Sequence, residues 1–336
     1  MKKILLAVIA TILCSTLIGG DTVRTTILSV KGIREKDSYT YLVCGLDDAS
    51  ENTDAIILFN YNTSDNIASF IQIPRDTYFD YSDNVKKINS IYPSLRCDGI
   101  DPQTAMCELT RSIEQALSIK LDGYICFTID ALERFIDGIG GVDVDIPYDI
   151  NITDSDGNNN VVFSKGTHHL NGAQAVRFIR FRKGYALGDL GRIDAQKLFL
   201  SGFVSKLKSS LNVKVVAKAA LRSEGGVLTD IRIMDMLAIA LKMRNKIQVS
   251  NVIYANLPGT ADTLNDDRWY YFVNKFAAAE LLDNLNLKTH SSFDGSNKLL
   301  NSSNEKTKEY YFNTHTKWRI LTDSDLKSIM GDGRSA

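Results

Sequence analysis

Two hydrophobic periods alternate along this chain. Residues 41–45, 55–61 and 67–73 are short β-branched and aromatic runs bounded by Asp, Asn and Ser, a pattern that predicts three neighbouring strands central to a sheet. Asp101-Pro102 puts a capping residue before a proline at the first helical position and opens a helix to about Ser118. Residues 124–129 return as a strand, Asp130 is read as the cap of a short helix ending at Gly138, and Gly140-Gly141 turns the chain into a strand at 142–146. Residues 151–160, rich in Asn, Asp and Gly, read as a polar loop.

Helical periodicity dominates the next stretch. One helix runs from Asn171 to about Arg182 and a second from about Asp189 to Ser209, where Ile193, Leu200, Val204 and Leu207 form an apolar stripe. Helical segments follow at 213–222 and 231–246, then a strand at 252–256. Leu257-Pro258-Gly259-Thr260 reads as a turn, and a last amphipathic helix covers 272–285. After Asn286 the chain turns polar and reads as a linker. Strands alternating with helices predict an α/β domain over 38–285, with helices on both faces of the sheet and a polar extension over 286–336.

The first twenty residues stand apart. Lys2 and Lys3 precede an uncharged run to Gly20 that ends at Asp21. As a helix this run reaches about 25 Å, a little short of a ~30 Å hydrocarbon core. Segment 1–20 is therefore expected to be a retained single-pass membrane anchor or a cleaved signal peptide, with everything beyond it exported.

Composition narrows the function. A net charge of −1 over 336 residues argues against a general nucleic-acid binder. Five cysteines without a CxxC pair, and four histidines without metal-ligand spacing, make no disulfide framework and no zinc site. Cys44 and Cys126 read as small core residues, while Cys97 and Cys107 are read either as a pair or as free thiols.

Against that neutral background the basic density between Leu170 and Gln196 is local. Arg177, Arg180, Arg182, Lys183 and Arg192 gather around Asp189. Guanidinium forks in this number suit a phosphate or pyrophosphate, because each binds two oxygens at once. Asp189, Arg192 and Gln196 share one face near the start of their helix, where the dipole also favours an anion. Arg75 follows a strand and can be aimed by it; Lys86 and Lys87 add cations in the next loop. Asp47, Asp48 and Asp54 flank the loop between the first two strands, a reasonable place for magnesium shared between carboxylates and phosphate oxygens. Arg177 reads as a surface residue, Asn89 and Tyr92 as loop packing, and Phe127, Phe135 and Ile139 as core.

The order GLD, TDAIIL, IPRDTY, KINSIY, DGY…IDGIGGVDVDIP and LNGAQAVRFIRFR…GDLGR…Q resembles the LytR-CpsA-Psr family of bacterial cell-envelope proteins over residues 41–285. The resemblance implies a mixed sheet between helices with an apolar tunnel for a polyprenyl chain. It also implies a phosphotransferase that moves a glycopolymer (a teichoic acid, capsule or similar) from a polyprenyl-pyrophosphate carrier to a peptidoglycan hydroxyl outside the membrane. By analogy Arg75, Lys87, Arg180, Arg182, Arg192 and Gln196 grip the pyrophosphate, and Arg75, Asp189 and Arg192 carry catalysis. Asp189 either orients Arg192 or accepts the hydroxyl proton. Asp47 and Asp54 hold Mg2+ or Mn2+.

One departure concerns the loop: Glu51-Asn52 stands where the family has Gly-Arg, and the stretch from Asp47 to Asp54 is shortened. The same motifs also suit a non-catalytic or regulatory binder of polyprenyl-pyrophosphate lipids, or a polyprenyl pyrophosphatase.

Overall fold

The computed structural model describes residues 36–47, 51–147, 149–153, 160–180, 189–209, 225–232, 246–264 and 268–287, with single positions between 215 and 243 and at 321, 322 and 325. Segment 1–20, most of 213–222 and 286–336, and Arg182 and Lys183 lie outside the described residues.

The three expected strands form as β1 (Ser38–Leu46), β2 (Thr53–Asn62) and β3 (Ile67–Gln72). With β4 (Tyr124–Thr128), β9 (Val227–Thr229) and β10 (Val252–Asn256) they build a six-stranded sheet in the order β10-β3-β2-β1-β4-β9. It is mixed: β1 and β2, β2 and β3, and β4 and β9 run antiparallel, while β1 with β4 and β3 with β10 run parallel.

Strand alternation sends side chains to two cores. Leu42, Cys44, Leu46, Ile56, Leu58 and Ile71 face one side, where α1 (Ile91–Cys97), α2 (Pro102–Leu117) and α6 (Lys275–Asn284) cover them. Tyr39, Tyr41, Tyr61 and Ala68 face the other, against α3 (Ile129–Gly138), α4 (Gly172–Arg180) and α5 (Asp189–Ser209). Each large apolar side chain so buried contributes about 1.5–3 kcal/mol. The architecture is the expected α/β one, a mixed sheet with helices on both faces.

Small hairpins surround this frame: β5 (Val142–Ile146) with β8 (Gly166–Leu170), β6 (Ile150–Thr153) with β7 (Asn160–Phe163), and β11 (Gly259–Thr263) with β12 (Trp269–Val273). Two of them correct the sequence reading. The ends of the stretch read as a polar loop are strands β6 and β7, anchored by buried Ile150 and Phe163; residues 154–159 lie outside the described residues. Gly259 and Thr260, read as part of a turn, open β11 and pair with Val273 and Phe272.

Helix starts follow their caps. The Asp101 carboxylate accepts from the Thr104 amide at 3.1 Å ahead of Pro102, and Ser118 ends α2 at φ +53°. For α3 the cap is Thr128, not Asp130: the Thr128 hydroxyl accepts from the Ala131 amide at 3.2 Å, while Asp130 pairs with Arg134 one turn on. The last helix begins at Lys275 rather than at 272, because Asn274 caps it by accepting from the Ala277 amide at 2.9 Å. Two glycines allow close packing: a Cβ on Gly172 would lie 2.3 Å from the Glu133 carbonyl, and one on Gly202 would lie 2.3 Å from that of Asp143.

The segment after Asn286, read as a linker, returns to the sheet. Leu321 is buried and exchanges backbone hydrogen bonds with Tyr254 on the edge strand β10, at 2.8 and 2.9 Å. Thr322 and Asp325 then cap each other's amides, at 2.8 and 3.3 Å. Cys44 and Cys126 are buried side by side on β1 and β4, and Cys97 and Cys107 are free thiols. Among the described residues no helix is long and apolar enough to cross a membrane.

Candidate active site

The site lies on the rim of the sheet where β1 and β3 end and β2 begins, the end at which open α/β sheets usually bind ligands. Pairing places the candidate residues there. Gly45 stands opposite Ala55 and Leu46 opposite Thr53, so Asp54 is the extra residue of a bulge. A bulge re-aims a side chain out of the alternating pattern, and here it turns a carboxylate toward the rim.

Beyond β3, Pro74 opens a tight turn in which the Thr77 amide and hydroxyl both donate to the Pro74 carbonyl, at 3.0 and 2.6 Å. Arg75 and Asp76 occupy its two central positions. Arg75 Nη1 donates to Asp54 Oδ1 at 2.7 Å, and its Nε lies 3.6 Å from Asp76 Oδ2. Lys87 Nζ donates to the other Asp76 oxygen at 2.7 Å and rests over the Tyr270 ring, 5.4 Å from its centre. Backbone bonds tie these pieces together: Tyr271 N–H donates to the Asp76 carbonyl and Tyr78 N–H to that of Tyr271, both at 2.8 Å.

The fourth side of the rim comes from the helices. Arg180, the last residue of α4, reaches Asp47 Oδ1 through Nη2 at 2.8 Å, although 133 positions separate the two in sequence. Gln196 on α5 is buried; its amide nitrogen donates to the Ile179 carbonyl at 3.3 Å, joining the second helix to the end of the first. Its Oε1 is buried without a hydrogen-bond partner among the described residues. A buried acceptor of this kind suits a ligand donor or a water. Asp189 opens α5 and Arg192 lies in its first turn, so the backbone sets both at the helix start; their side chains lie outside the described residues, as does Arg182 altogether.

Of the candidates the structure describes, Asp47, Asp54, Arg75, Lys87 and Arg180 therefore meet at one rim. Lys86 does not join them: it pairs with Asp80, and that hydrogen bond raises its pKa. Arg177 is exposed on α4. Asn89 is buried against the β1–β2 loop, its carbonyl accepting from the Thr53 hydroxyl at 3.4 Å. Tyr92 is buried in the core, and burial pushes its hydroxyl up to about 12. The sequence reading missed Asp76, which bridges Arg75 and Lys87, although its place beside Arg75 in the motif was the available signal. It also missed Tyr270, whose strand it had not foreseen.

Two apolar features lie near the rim. A cavity of about 10 Å³, lined by Ile73, Phe79, Ile88, Ile113 and Leu257 among others, sits below the Arg75 turn and has room for no more than a water. On the opposite face of the sheet Phe127, Phe135 and Phe203 form a half-buried aromatic row with centroids 6.4 and 6.1 Å apart, whereas Ile139 is fully buried core.

Comparison with known proteins bears on the family and the fold. The LytR_cpsA_psr family model matches residues 17–287. The polyisoprenyl-teichoic acid–peptidoglycan teichoic acid transferase TagV of Bacillus subtilis (strain 168) is 28% identical over 248 residues, 71% of this chain. The match spans 61% of TagV's own length, less than two thirds. The crystal structure of B. subtilis TagV superposes with a TM-score of 0.60 at 25% identity, covering 75% of this chain and 97% of that one. TagT bound to LIIa-WTA superposes at 0.58 with 24% identity, over 76% and 94%.

Proposed function

The chain belongs to the LytR_cpsA_psr family, and from that premise we propose that it is a transferase attaching a glycopolymer to peptidoglycan, using a polyprenyl-pyrophosphate carrier as donor. The reaction would take place outside the membrane, with segment 1–20 as anchor or leader. The observation that carries this reading is the convergence of Arg75, Lys87 and Arg180 with Asp47, Asp54 and Asp76 on one rim, from β1, β2, the turn after β3 and the end of α4. The names of the relatives support the polymer and the acceptor.

The rim suits a doubly charged donor. Among the described residues, Arg75, Lys87 and Arg180 each rest on a carboxylate, and Arg180 is half exposed, so a pyrophosphate can exchange with the carboxylates for the guanidinium forks. Asp47 and Asp54 fit Mg2+ or Mn2+, because magnesium characteristically takes one or two carboxylates and completes its shell with phosphate oxygens and water. When bound, such an ion supplies charge neutralisation on the pyrophosphate oxygens. Asp47 and Asp54 would hold it while Arg75 and Arg180 turn to the phosphates.

The acceptor hydroxyl oxygen attacks the phosphorus next to the glycan. A new P–O bond forms as the hydroxyl proton passes to solvent, the bond to the bridging oxygen breaks, and polyprenyl monophosphate leaves with that electron pair. Arg75, Arg180, Arg182 and Arg192 neutralise the charge developing on both phosphates, the dominant need in phosphoryl transfer. Asp189 orients Arg192, and Gln196, with its buried Oε1, completes the pocket. The half-buried aromatic row of Phe127, Phe135 and Phe203 offers the polyprenyl chain an apolar bed.

The test uses the full chain with a polyprenyl-pyrophosphate-linked glycan and a peptidoglycan oligomer, with and without magnesium, alongside Arg75→Ala and Arg180→Ala. A phosphodiester-linked product that requires metal and both arginines is expected. Hydrolysis alone in the presence of acceptor would make the protein a pyrophosphatase; donor bound but never turned over would make it a binder.

A further inference from the structure

The loop that carries Asp47 is closed by its own backbone. Asp47 N–H donates to the Asn52 carbonyl and Glu51 N–H to the Asp47 carbonyl, both at 2.9 Å. This closure sets Glu51 at φ +51°, in the left-handed region that residues with a side chain rarely occupy. Such strain persists only where neighbouring structure holds it.

The hold comes from α1. Arg96 Nε lies 3.4 Å from Glu51 Oε2, and Nη1 of the same guanidinium donates to the Ile100 carbonyl at 2.6 Å. That Nε is buried and makes no hydrogen bond among the described residues, so the Glu51 carboxylate compensates its charge. The segment leading into α1 grips the other parts of the rim: the Asn89 carbonyl accepts from the Thr53 hydroxyl, and the Asn89 amide donates to the Arg75 carbonyl, both at 3.4 Å. Residues 89–96 thus touch the loop before Asp54 and the turn of Arg75 together.

We propose that Arg96 is a positioning residue of the active site, acting through Glu51 to fix the backbone closure of Glu51 and Asn52 on Asp47, the residue that meets Arg180. The proposal rests on the function above, and it adds a residue outside the anion-gripping set. It also accounts for Glu51 in this chain's shortened loop, since an acidic side chain there gives Arg96 something to hold. The pair is partly exposed, 28% and 48%, so its contribution to global stability is small. Its effect on the site is not, because displacing a reacting group by about 1 Å can slow catalysis on the order of 100-fold.

The experiment compares Arg96→Gln, Glu51→Gln and the double variant in the full chain, by amide hydrogen exchange over residues 46–53, melting temperature and transfer kinetics. Arg96→Gln and Glu51→Gln should each speed exchange at Asp47 and Glu51 by about tenfold or more, and Glu51→Gln, which removes only the pair, should shift melting by about 3 °C or less. Arg96→Gln should lower kcat about 10–100-fold with donor KM little changed. The double variant should be no worse than the poorer single one, because both remove the same contact. Arg96→Lys, which keeps the charge, should retain most of the protection. Exchange is read without substrate, so unchanged exchange in Arg96→Gln would overturn the proposal whatever the kinetics give. Additive losses in the double variant would overturn it too. Faster exchange in a protein that proves inactive even as wild type would support the brace and refute the transferase reading.

Discussion

Arg75 and Asp54 form a 2.7 Å ion pair across the rim of the sheet, the arginine supplied by the tight turn after β3 and the aspartate by a β-bulge. Neither side chain is more than about a quarter exposed, so the fork is held in one orientation. Lysine at this position would keep the charge and lose the planar fork. Arg75→Lys should therefore lower turnover about 100-fold while the melting temperature stays nearly unchanged. Wild-type turnover in this variant would show that a point charge suffices there.

Helix α5 depends on one missing methyl. A Cβ on Gly202 would sit 2.3 Å from the Asp143 carbonyl of β5, so Gly202→Ala must push the helix away from the hairpin. Overpacking of this kind costs about 1–3 kcal/mol, to be read as a lower urea midpoint. Because Gln196 and Arg192 ride on the same helix, turnover should fall as well. Alanine accommodated with unchanged stability would mean that the contact has slack.

The thiols separate by burial. Desolvation pushes the Cys44 thiol up to about 12 and raises that of its neighbour Cys126, so neither forms thiolate at pH 8. Alkylation of the native protein at pH 8, followed by peptide mapping, should label exposed Cys97 first and leave Cys44 and Cys126 unmodified until unfolding. Early labelling of Cys44 would show that the β1–β4 seam opens readily.

Asp101 links the cap of α2 to acidity. Bonds from Thr104 hold its carboxyl below the usual carboxylate pKa of 3.8. A depressed pKa contributes stability that is present above pH 3.8 and lost as pH falls through the folded-state value. Asp101→Asn, a neutral cap, should melt below wild type at pH 7, and the gap should narrow steadily once pH drops under about 4. A constant gap down to pH 2 would show that protonating Asp101 does not matter.

What could be read from the sequence follows from what leaves a one-dimensional trace. Strands β1 to β4 were legible because β-branched and aromatic residues run unbroken through a central sheet. Strand β11 was not, since Gly-Thr-Ala-Asp-Thr holds no apolar alternation and its place depends on pairing with β12. The α3 cap was misassigned because both Thr128 and Asp130 are competent caps and only the backbone chooses. Phe272 was drawn into the last helix because its spacing suits one; Asn274 decides otherwise.

At the site, Arg75 and Arg180 were legible through their motifs. Their partners were not all so. That Asp54 sits in a bulge, that Asp76 bridges Arg75 and Lys87, and that Glu51 leans on Arg96 are facts of register and turn geometry. Leu321 was hidden for a related reason: a single bridge to an edge strand leaves no periodic signal.

The pairing of Arg180 with Asp47 across 133 positions also bears on time. A contact of such separation forms only after the intervening strands and helices have met, because closing so long a loop is entropically unfavourable until other contacts have shortened it. The Arg180–Asp47 pair therefore depends on the chain between them having folded. A half-folded molecule has arginines but no rim to set them in.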